Sequence, residues 1–443
     1  MTERVHDVAI IGGGVCGTAL LYMLSEYTDI QDIALVEKYD DVAKVNSHGR
    51  NNSQTLHCGD IETNYTLEKA RKVKTAAEMV VNYTETLAER DRIIFKYPKM
   101  VLGVGEKECQ QLRERFEQFK TVFTTMQLLE KEQIAEIEPN VIMVDGKMRE
   151  EPCVALAVLD EHAAVDYHQL AQSFVDEAKK HSDKDIHLHL NSHVENIVEK
   201  DGIFSIVTQN RVIKARTVVV SAGGHSLLLA QQMRYGLEYS CLPVAGSFYF
   251  TPPILNGKVY TVQNDKLPFA AVHGDPDVLV DGKTRFGPTA LLLPMLERYN
   301  IKTFIEFLRV LKLDSRVFKV FWDLFKVSDI RNYIFKNFLF EVPGLRRWLF
   351  MREARKIVPS LQLKDVSFAK GFGGVRPQLI DKKSSRLMLG EAKINPGTGI
   401  VFNMTPSPGA TSCLENAELD MRFVAGRLGA KIHEERLNQA LHK

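Results

Sequence analysis

The N-terminal stretch that decides the fold reads VHDVAIIGGGVCGTALLYML, from Val5 to Leu24. Apart from His6 and Asp7, its first seven residues are apolar and mostly β-branched, which predicts a short buried strand. The glycines Gly12, Gly14 and Gly17 follow at once, and the next apolar run predicts a helix. This order provides a tight turn, close backbone approach and a helix N-terminus, which together suit a pyrophosphate. The stretch therefore predicts a Rossmann-like dinucleotide site.

A carboxylate at the end of the next apolar run supports this prediction. Residues 33–36 predict a second buried strand, and Glu37 and Lys38 follow it. A carboxylate there accepts hydrogen bonds from both ribose hydroxyls of an adenosine and repels a 2′-phosphate. We therefore place Glu37 and Lys38 in the cofactor site. A glycine turn that serves packing alone is the other interpretation, and NAD and FAD share this motif.

Two distant stretches favour a tightly held FAD. Residues 217–224 predict a buried strand that ends in the small residues Ala222 and Gly223. A buried strand and turn without any cofactor would have the same sequence pattern. Residues 403–412 lead into a helix that begins near Cys413, where free amides suit an anionic group, although an ordinary cap would also fit. Such separated pieces indicate a discontinuous domain around one cofactor. The candidates in the second stretch are Pro408, Gly409, Ala410 and Thr411.

Length and composition exclude several classes of protein. The chain has 443 residues, of which 45% are hydrophobic and 26% charged, so it is globular and long enough for two or three domains. The net charge of +1 gives no global attraction to nucleic acid. No apolar window is long enough to span a membrane, and no signal segment is evident. The six cysteines are scattered and predict reduced thiols in a cytosolic protein.

Histidines in a predicted sheet raise the question of a metal. His187 and His189 would share one face of a strand, which permits a metal site. No carboxylate or cysteine stands at a matching spacing, so a solvated face is the favoured interpretation, and we expect no metal. The surrounding runs at 186–190, 194–199, 203–209 and 212–215 predict a small antiparallel meander.

The predicted fold class is α/β, with a Rossmann-like FAD-binding domain, a second antiparallel-sheet substrate domain and a helical, basic-aromatic segment. Alternation at 241–251 and 257–272 predicts the sheet that roofs a pocket, and 67–90 and 106–129 predict scaffold helices. We assign residues 1–85, 155–235 and 365–443 to the FAD-binding domain. We assign residues 86–154 and 236–364 to the substrate domain.

The segment 298–356 has an unusual local composition. It holds fourteen Lys or Arg against six Asp or Glu, and both tryptophans, Trp322 and Trp348, lie in it with eleven other aromatics. Helices with aromatic faces beside cationic rims are typical of a membrane interface, so we expect this segment to dock on a membrane. A helical subdomain with its own aromatic core is the alternative. Nucleic acid is not expected as a partner, because the segment has no recognisable binding motif.

Several motifs together resemble one flavoprotein family. They are the loop 47–66, which contains NNSQTLHCGDIETNYT, the stretches 267–275 and 285–290, the segment Gly374-Val375-Arg376-Pro377-Gln378, and the run PSPGATS at 406–412. Over essentially the whole chain, this pattern resembles FAD-dependent malate:quinone oxidoreductases of a shorter branch, within the D-amino-acid-oxidase-like superfamily. The resemblance implies a peripheral enzyme on the inner, cytoplasmic face of the membrane. It implies oxidation of (S)-malate to oxaloacetate, with electrons passed to a membrane quinone.

Three alternatives remain open at the level of sequence. FAD-dependent L-2-hydroxyglutarate dehydrogenase or oxidase shares related loops and acts on a substrate one methylene longer, which is worth only about 1–3 kcal/mol of discrimination. A D-amino-acid dehydrogenase would need an anionic partner for the substrate ammonium, and none is evident. A non-catalytic flavin-binding protein would use the basic-aromatic segment for its partners.

The resemblance places candidate catalytic residues in these loops. Oxidation of a 2-hydroxy acid needs hydride transfer to flavin N5 and a base for the hydroxyl proton, for which we favour His273, with His57 orienting substrate or flavin. Arg376 is the favoured partner for a substrate carboxylate and Arg285 a second candidate. Neutral donors and flavin contacts are expected from the nearby polar residues Asn52, Ser53, Gln54, Thr55 and Gln378.

Overall fold

The computed structural model describes residues 4–263, 271–388, 392–405 and 408–443, without the side chains of Leu324, Asp329 and Ile330. Parts of two motifs quoted above, residues 267–270 and 406–407, lie outside the described residues. The described chain forms an α/β fold of three main sheets and surrounding helices. Its α-helices are α1 (Val15–Tyr27), α2 (Leu67–Glu85), α3 (Glu106–Phe119), α4 (Lys131–Ile137), α5 (Pro139–Ile142), α6 (Tyr167–Lys179), α7 (Gly224–Gln232), α8 (Thr303–Leu311), α9 (Ser315–Lys326), α10 (Ser328–Leu339), α11 (Arg346–Ala354), α12 (Cys413–Leu428) and α13 (Glu434–Leu441).

The strands are short, and most of them belong to the three sheets. They are β1 (Val5–Ile11), β2 (Asp32–Val36), β3 (Ile94–Lys96), β4 (Lys99–Val104), β5 (Gln127–Glu130), β6 (Met143–Val144), β7 (Lys147–Met148), β8 (Cys153–Val158), β9 (His162–Val165), β10 (Asp185–His189), β11 (Val194–Lys200), β12 (Ile203–Thr208), β13 (Val212–Val220), β14 (Tyr239–Ala245), β15 (Tyr249–Thr251), β16 (Lys258–Thr261), β17 (His273–Pro276), β18 (Thr284–Gly287), β19 (Leu291–Leu292), β20 (Ser367–Phe368), β21 (Val375–Asp381), β22 (Arg386–Met388), β23 (Ala392–Ile394) and β24 (Ile400–Met404).

The main sheet carries the predicted dinucleotide fold. Its strands run in the order β10-β2-β1-β13-β12-β11, and β24 pairs with the C-terminal half of β13. The strands β10, β2, β1, β13 and β24 are parallel. Helices α1, α6 and α12 pack on one face, and the apolar residues of β1 and β2 are almost fully buried. Burial on both faces explains why these strands are nearly continuous apolar runs.

The predicted meander is only partly correct. Strands β11, β12 and β13 do form an antiparallel meander, and β13 extends from the predicted run at 212–215 into the strand predicted from Thr217. The run at 186–190 is different, because β10 pairs in parallel with β2 at the edge of the main sheet. Alternation shows which side of a strand is buried, but it does not show which strand is its neighbour.

The second sheet lies over the carboxyl ends of the main sheet's strands. It has eight strands in the order β20-β15-β18-β17-β16-β4-β8-β5, and its pairings are antiparallel except between β16 and β4. The sequence predicted one sheet from 241–251 and 257–272, but β14 belongs instead to a third sheet of four strands, β19-β14-β21-β22. Our division into domains at 86, 155, 236 and 365 stays a prediction.

The basic-aromatic segment is helical, as predicted, and contains α8 to α11. Several aromatic residues pack into the core beneath the second sheet, including Phe340 and Phe350, and Phe350 stacks on Tyr249. Many others are exposed, among them Phe318, Trp322 and Phe335. None of the helices in the described ranges is long and apolar enough to cross a membrane.

Candidate functional site

Two connected cavities lie where the carboxyl ends of the parallel strands meet the second and third sheets. The larger has a volume of about 440 Å³ and the smaller about 150 Å³. Four residues line both: Asn46, Pro377, Thr405 and Ala410. The two cavities therefore share a wall, and a flat group lying along the larger one could present its end to the smaller one.

The predicted glycine turn lines the larger cavity and fits a closely approaching diphosphate. Gly12 has φ +107°, and a Cβ there would lie 2.5 Å from the Ser221 carbonyl oxygen. A Cβ on Gly17 would lie 1.9 Å from the Gly12 carbonyl oxygen, so this glycine serves helix–strand packing and does not line the cavity. Gly14 lines the cavity directly before α1. These contacts match the three separate roles expected of such glycines.

Glu37 and Lys38 also line the larger cavity, at the end of β2. The Glu37 carboxylate accepts hydrogen bonds from the Gly13 amide at 2.7 Å and the Tyr39 amide at 3.0 Å. Burial raises the pKa of Glu37, and these hydrogen bonds oppose that effect. Lys38 forms an ion pair with Glu297. The arrangement orients the Glu37 carboxylate beside the glycine turn, where the ribose of an adenosine would lie.

The C-terminal run lies opposite α1, as the sequence predicted for one cofactor enclosed by separated segments. Ala222, Gly223, Gly409 and Ala410 line the larger cavity, and Pro408 and Thr411 line the smaller one. A Cβ on Gly409 would lie 2.4 Å from the Thr405 carbonyl oxygen. Close backbone approach here and at Gly12 leaves a narrow slot between two helix N-termini, which fits an extended FAD.

Arg376 and Gln378 provide the polar groups on one wall of the smaller cavity. Both lie on β21, and Arg376 is partly exposed to the cavity. Burial lowers the pKa of its guanidinium. Within the part of the chain that the structure describes, Arg376 has no hydrogen bond or ion pair, and the buried Gln378 Oε1 has no partner. An unpaired guanidinium in a cavity of this size is suited to a carboxylate ligand.

His57 lines the same cavity and is held by a carboxylate. Its Nδ1 lies 2.7 Å from Glu62 Oε1, and its backbone amide donates to Thr411 Oγ1 at 3.1 Å. Burial raises the pKa of Glu62, but the hydrogen bond and charge of His57 outweigh it, so the pKa lies below its usual value. Arg115 fixes the loop by donating to the Glu62 carbonyl oxygen at 2.7 Å. The pair resembles a base and its orienting acid.

His273 and Arg285 lie in a separate group, the buried charged layer, which consists of Lys258, His273, Asp275, Asp277 and Arg285. Neither His273 nor Arg285 lines the two cavities. His273 stacks on Tyr260 and its Nε2 lies 3.3 Å from Asp275 Oδ1. Burial, with the charge of Lys258, holds the pKa of His273 well below its usual value. A neutral, enclosed histidine is well placed for support rather than for contact with a substrate.

The partners of Arg285 are internal. Its Nε lies 3.3 Å from Asp277 Oδ2, and its Nη1 donates to the Gly49 carbonyl oxygen at 3.0 Å. Only 1% of the side chain is exposed. Lys258 lies 3.4 Å from both Asp275 Oδ2 and Thr55 Oγ1. The structure therefore brings Arg376 and His57 together in the cavity and keeps Arg285 behind its wall.

The polar loop 52–55 lines the smaller cavity and not the larger one, and its predicted contacts with flavin and substrate stay a prediction. Its side chains are largely used within the protein. Asn52 Nδ2 donates to the Asn46 and His48 carbonyl oxygens at 3.0 Å, and Gln54 Nε2 donates to the Gly49 carbonyl oxygen at 3.2 Å. Gln54 also has a positive φ of 51°. Ser53 and Thr55 line the same wall, so this loop shapes the cavity chiefly through its backbone.

Sequence reasoning missed several residues that build the site. Asn46 joins the two cavities and exchanges hydrogen bonds with the Val375 backbone, and Ser47 Oγ accepts from the Val15 amide at 2.9 Å. Glu62 orients His57. Tyr167 donates to the Thr55 carbonyl oxygen at 2.7 Å. The first three lie in the quoted loop or next to it, so their position was a usable signal, but Tyr167 comes from a distant helix and carried none.

Comparisons with known proteins agree with this geometry. Residues 4–415 match the malate:quinone oxidoreductase (Mqo) family. The chain is 49% identical to the probable malate:quinone oxidoreductase of Campylobacter jejuni over 100% of both chains. It is 45% identical to the malate:quinone oxidoreductase of Helicobacter pylori (strain ATCC 700392 / 26695), covering 98% of this chain and 97% of that one. The predicted family is therefore confirmed.

The fold is also found in solved structures. L-α-glycerophosphate oxidase from Mycoplasma pneumoniae, with FAD bound, superposes with a TM-score of 0.65 at 20% identity and covers 97% of this chain and 96% of that one. Glycine oxidase from Geobacillus kaustophilus gives a TM-score of 0.66 at 17% identity, over 96% and 95%. These matches confirm the predicted α/β flavoprotein fold, and FAD as the cofactor agrees with them and with the family.

The sister family considered above is a more distant relative. Mitochondrial L-2-hydroxyglutarate dehydrogenase of Nematostella vectensis is 26% identical over 94% of this chain and 89% of that one. Its identity is about half that of the Campylobacter protein. The chain belongs to the malate:quinone oxidoreductase family.

Proposed function

We propose that the protein oxidises (S)-malate to oxaloacetate with FAD and passes the electrons to a membrane quinone. The observation that carries the proposal is the smaller cavity, which holds Arg376, without an ion pair to any described residue, beside the His57–Glu62 pair and shares a wall with the cofactor cavity. Bound FAD supplies the hydride acceptor. The family match over residues 4–415 supports malate as the substrate.

The residues of the smaller cavity divide the work of binding and proton transfer. Arg376 binds one substrate carboxylate through paired N–H donors, and the Gln378 amide supports the same end. His57 accepts the hydroxyl proton at its free ring nitrogen, because Glu62 occupies Nδ1 and stabilises the imidazolium that forms. This assignment exchanges the predicted roles of the two histidines, since His273 lies behind the wall. Arg285 holds the wall rather than the substrate.

An anaerobic titration tests the reaction. (S)-Malate is expected to bleach the oxidised flavin absorbance of the purified protein, and a soluble quinone analogue is expected to restore it. (S)-2-Hydroxyglutarate is the matched control, because it is one methylene longer and the family match predicts far weaker bleaching with it. Bleaching by 2-hydroxyglutarate alone would transfer the assignment to the sister family. A flavin that neither substrate bleaches would contradict the proposal.

The membrane part of the function rests on a surface we call the aromatic face. It consists of exposed apolar side chains on α9 and α10, and their exposed fractions lie between 52% and 64%. These residues are Phe318, Trp322, Phe325, Phe335 and Phe338. Five such rings on neighbouring helices far exceed the scattered exposure that is normal for a protein surface.

Two features favour a lipid surface as the partner: the positive charge of the segment and the contact of α10 with the wall of the smaller cavity. Segment 298–356 carries an excess of eight positive charges, and α9 alone carries Arg316, Lys319 and Lys326. Aromatic rings flanked by basic residues suit the interface of an anionic bilayer. Asn337 of α10 accepts a hydrogen bond from the Ala290 amide at 2.7 Å, and Ala290 lines the smaller cavity. Docking at this face, on the inner side of the cytoplasmic membrane, would place the site near a lipid-dissolved quinone.

Co-sedimentation with lipid vesicles tests the docking. The holoenzyme is expected to pellet with vesicles of phosphatidylcholine and phosphatidylglycerol, and less with phosphatidylcholine alone. The triple variant F318S/W322S/F325S is expected to stay in the supernatant while it reduces a soluble quinone analogue normally. The control variant V198S/V212S removes exposed apolar groups from β11 and β13 and is expected to pellet like the parent. Equal pelleting of both variants would contradict docking through the aromatic face.

A further inference from the structure

A cluster of histidines and a carboxylate lies at the end of the main sheet opposite the cofactor cavity. His6 is on β1, Asp32 begins β2, and His187 is on the edge strand β10. One nitrogen or oxygen atom from each lies within 4.8 Å of the others. The parallel pairing of β10, β2 and β1 brings together residues that are far apart in sequence. We call this group the histidine cluster.

The cluster has ligand atoms to spare. His6 Nδ1 and Asp32 Oδ1 lie 2.5 Å apart, and His187 Nε2 lies 3.8 Å from the same oxygen. The Nε2 atoms of His187 and His189 are both buried and have no hydrogen-bond partner among the described residues. The His189 ring centroid lies 5.9 Å from that of His6 and 6.2 Å from that of His187.

The two histidines of β10 are held differently. Arg211 Nη1 donates to His189 Nδ1 at 3.3 Å, so the Nε2 of a neutral His189 ring carries its hydrogen. His187 Nε2 lies 3.8 Å from one oxygen of Asp32 and 3.8 Å from one oxygen of Asp185. His187 is therefore the ligand that β10 provides.

We propose that His6, Asp32 and His187 form a binding site for a divalent transition-metal ion, with water as the fourth ligand. Imidazole nitrogens with one carboxylate oxygen are a set that zinc accepts in tetrahedral geometry, in which ligand atoms lie about 3.3 Å apart. The contacts of 2.5 Å and 3.8 Å lie on either side of that spacing. Binding therefore needs the His6–Asp32 pair to open by less than about 1 Å, and the metal replaces the proton these groups share.

The neighbouring charges leave room for the ion. Arg4 lies 2.8 Å from the other Asp32 oxygen, Oδ2, and also pairs with Asp185, so Oδ1 stays directed to the histidines. A second cluster of potential ligands among the described residues consists of Cys58, Asp60 and Glu161, and it differs because a positive charge already lies at its carboxylate. There the Lys99 ammonium lies 2.6 Å from Asp60 and already fills the position of a cation.

The position of the site indicates a structural role. The strands β1, β2 and β10 point their carboxyl ends to the cofactor cavity, whereas the histidine cluster lies at or near their amino ends. A bound ion would cross-link the edge strand β10 to two interior strands. Because the ion would bind the folded chain and not the unfolded one, it would raise the midpoint of thermal unfolding.

Zinc binding to the untagged holoenzyme tests the proposal. Competition with a chromophoric chelator and thermal unfolding are measured for the parent, for His187→Ala and for the control His442→Ala, which removes an exposed histidine. The parent and the control are expected to bind one zinc ion and to gain thermal stability from it. His187→Ala is expected to bind at least about tenfold more weakly, because it loses one ligand.

Two results would overturn the site. Parent protein and His187→Ala could bind zinc equally, or the parent could bind no zinc under conditions in which it is folded and retains flavin. Because His187→Ala removes a side chain that is 29% exposed, its folding without metal is expected to match the parent. His189→Ala is a second control, because it leaves the three ligands in place, and it is expected to bind zinc like the parent.

Discussion

The smaller cavity and the buried charged layer behind it contain the same residue types in opposite situations. The cavity has Arg376 and His57, and the layer has Arg285 and His273. In the layer, Arg285 pairs with Asp277 and His273 lies beside Asp275. In the cavity, Arg376 has no partner in the described ranges. Spare hydrogen-bonding capacity does not separate the two regions, because Arg285 Nε and Nη2 and both Asp275 oxygens also lack hydrogen-bond partners among the described residues, and His57 is paired with Glu62. The comparison teaches that the two regions differ in their access to a cavity, and not in residue type.

The largest expected effect is the difference in kcat between substitutions of the two histidines, His57 and His273. His57→Gln is expected to lower kcat for malate by about 10²–10⁴-fold, because a general base contributes an effect of that size. His273→Gln is the matched change and is expected to alter kcat by less than about tenfold, since its ring does not line the cavity. Stopped-flow reduction of the flavin measures both. A larger effect at His273 would reverse the assignment of the base.

The buried arginine should matter for stability. Arg285→Met removes the guanidinium and leaves Asp277 buried without this partner, so unfolding is expected to become easier by about 3–5 kcal/mol. Urea unfolding monitored by circular dichroism gives this free energy. KM measured on the folded fraction should stay within a few-fold of the parent. A large rise in KM without loss of stability would instead place Arg285 in contact with substrate.

The arginine of the cavity should show the reverse behaviour. Arg376→Ala is expected to lower kcat/KM for malate by an amount equivalent to about 2–5 kcal/mol, because one substrate carboxylate loses its partner. Stability should change little or rise, since no ion pair with a described residue offsets the burial of the Arg376 charge. Steady-state kinetics and urea unfolding are measured on the same preparation. Arg376→Lys keeps the charge without the paired donors, and its kcat/KM should lie between those of the parent and of Arg376→Ala.

The orienting carboxylate should have the smallest effect. Glu62→Gln keeps a hydrogen-bonding side chain but removes the anion, and kcat is expected to fall about tenfold, the equivalent of about 1.4 kcal/mol. Because the pKa of Glu62 is held low, the Glu62 carboxylate of the parent stays ionised at pH values below the usual pKa of a glutamate. The variant loses the counter-charge of the imidazolium, so the acidic limb of its kcat/KM profile should move to lower pH. An unchanged profile would contradict the orienting role.

The cofactor cavity could be predicted from sequence far better than the substrate cavity. Gly12, Gly17 and Glu37 lie within one strand–helix–strand unit, so local spacing carried the information. The pairing of Arg285 with Asp277 and the enclosure of His273 depend on how three sheets pack. The spacing of residues along the sequence does not predict that packing. The same holds for His187: its carboxylate neighbour, Asp32, is on another strand about 150 residues away. Motifs could identify candidates, but only packing shows which of them line a cavity and which are enclosed.

The layout of the cofactor cavity also has a consequence for synthesis of the chain. Its walls come from β1 and α1 near the N-terminus, from β13 in the middle, and from Thr405, Gly409 and Ala410 near the C-terminus. Strand β24 completes the sheet beside β13 only after about nine-tenths of the chain has left the ribosome. We therefore expect flavin to be loaded late in synthesis, and a product terminated before β24 should lack both flavin and the strand that pairs with the end of β13.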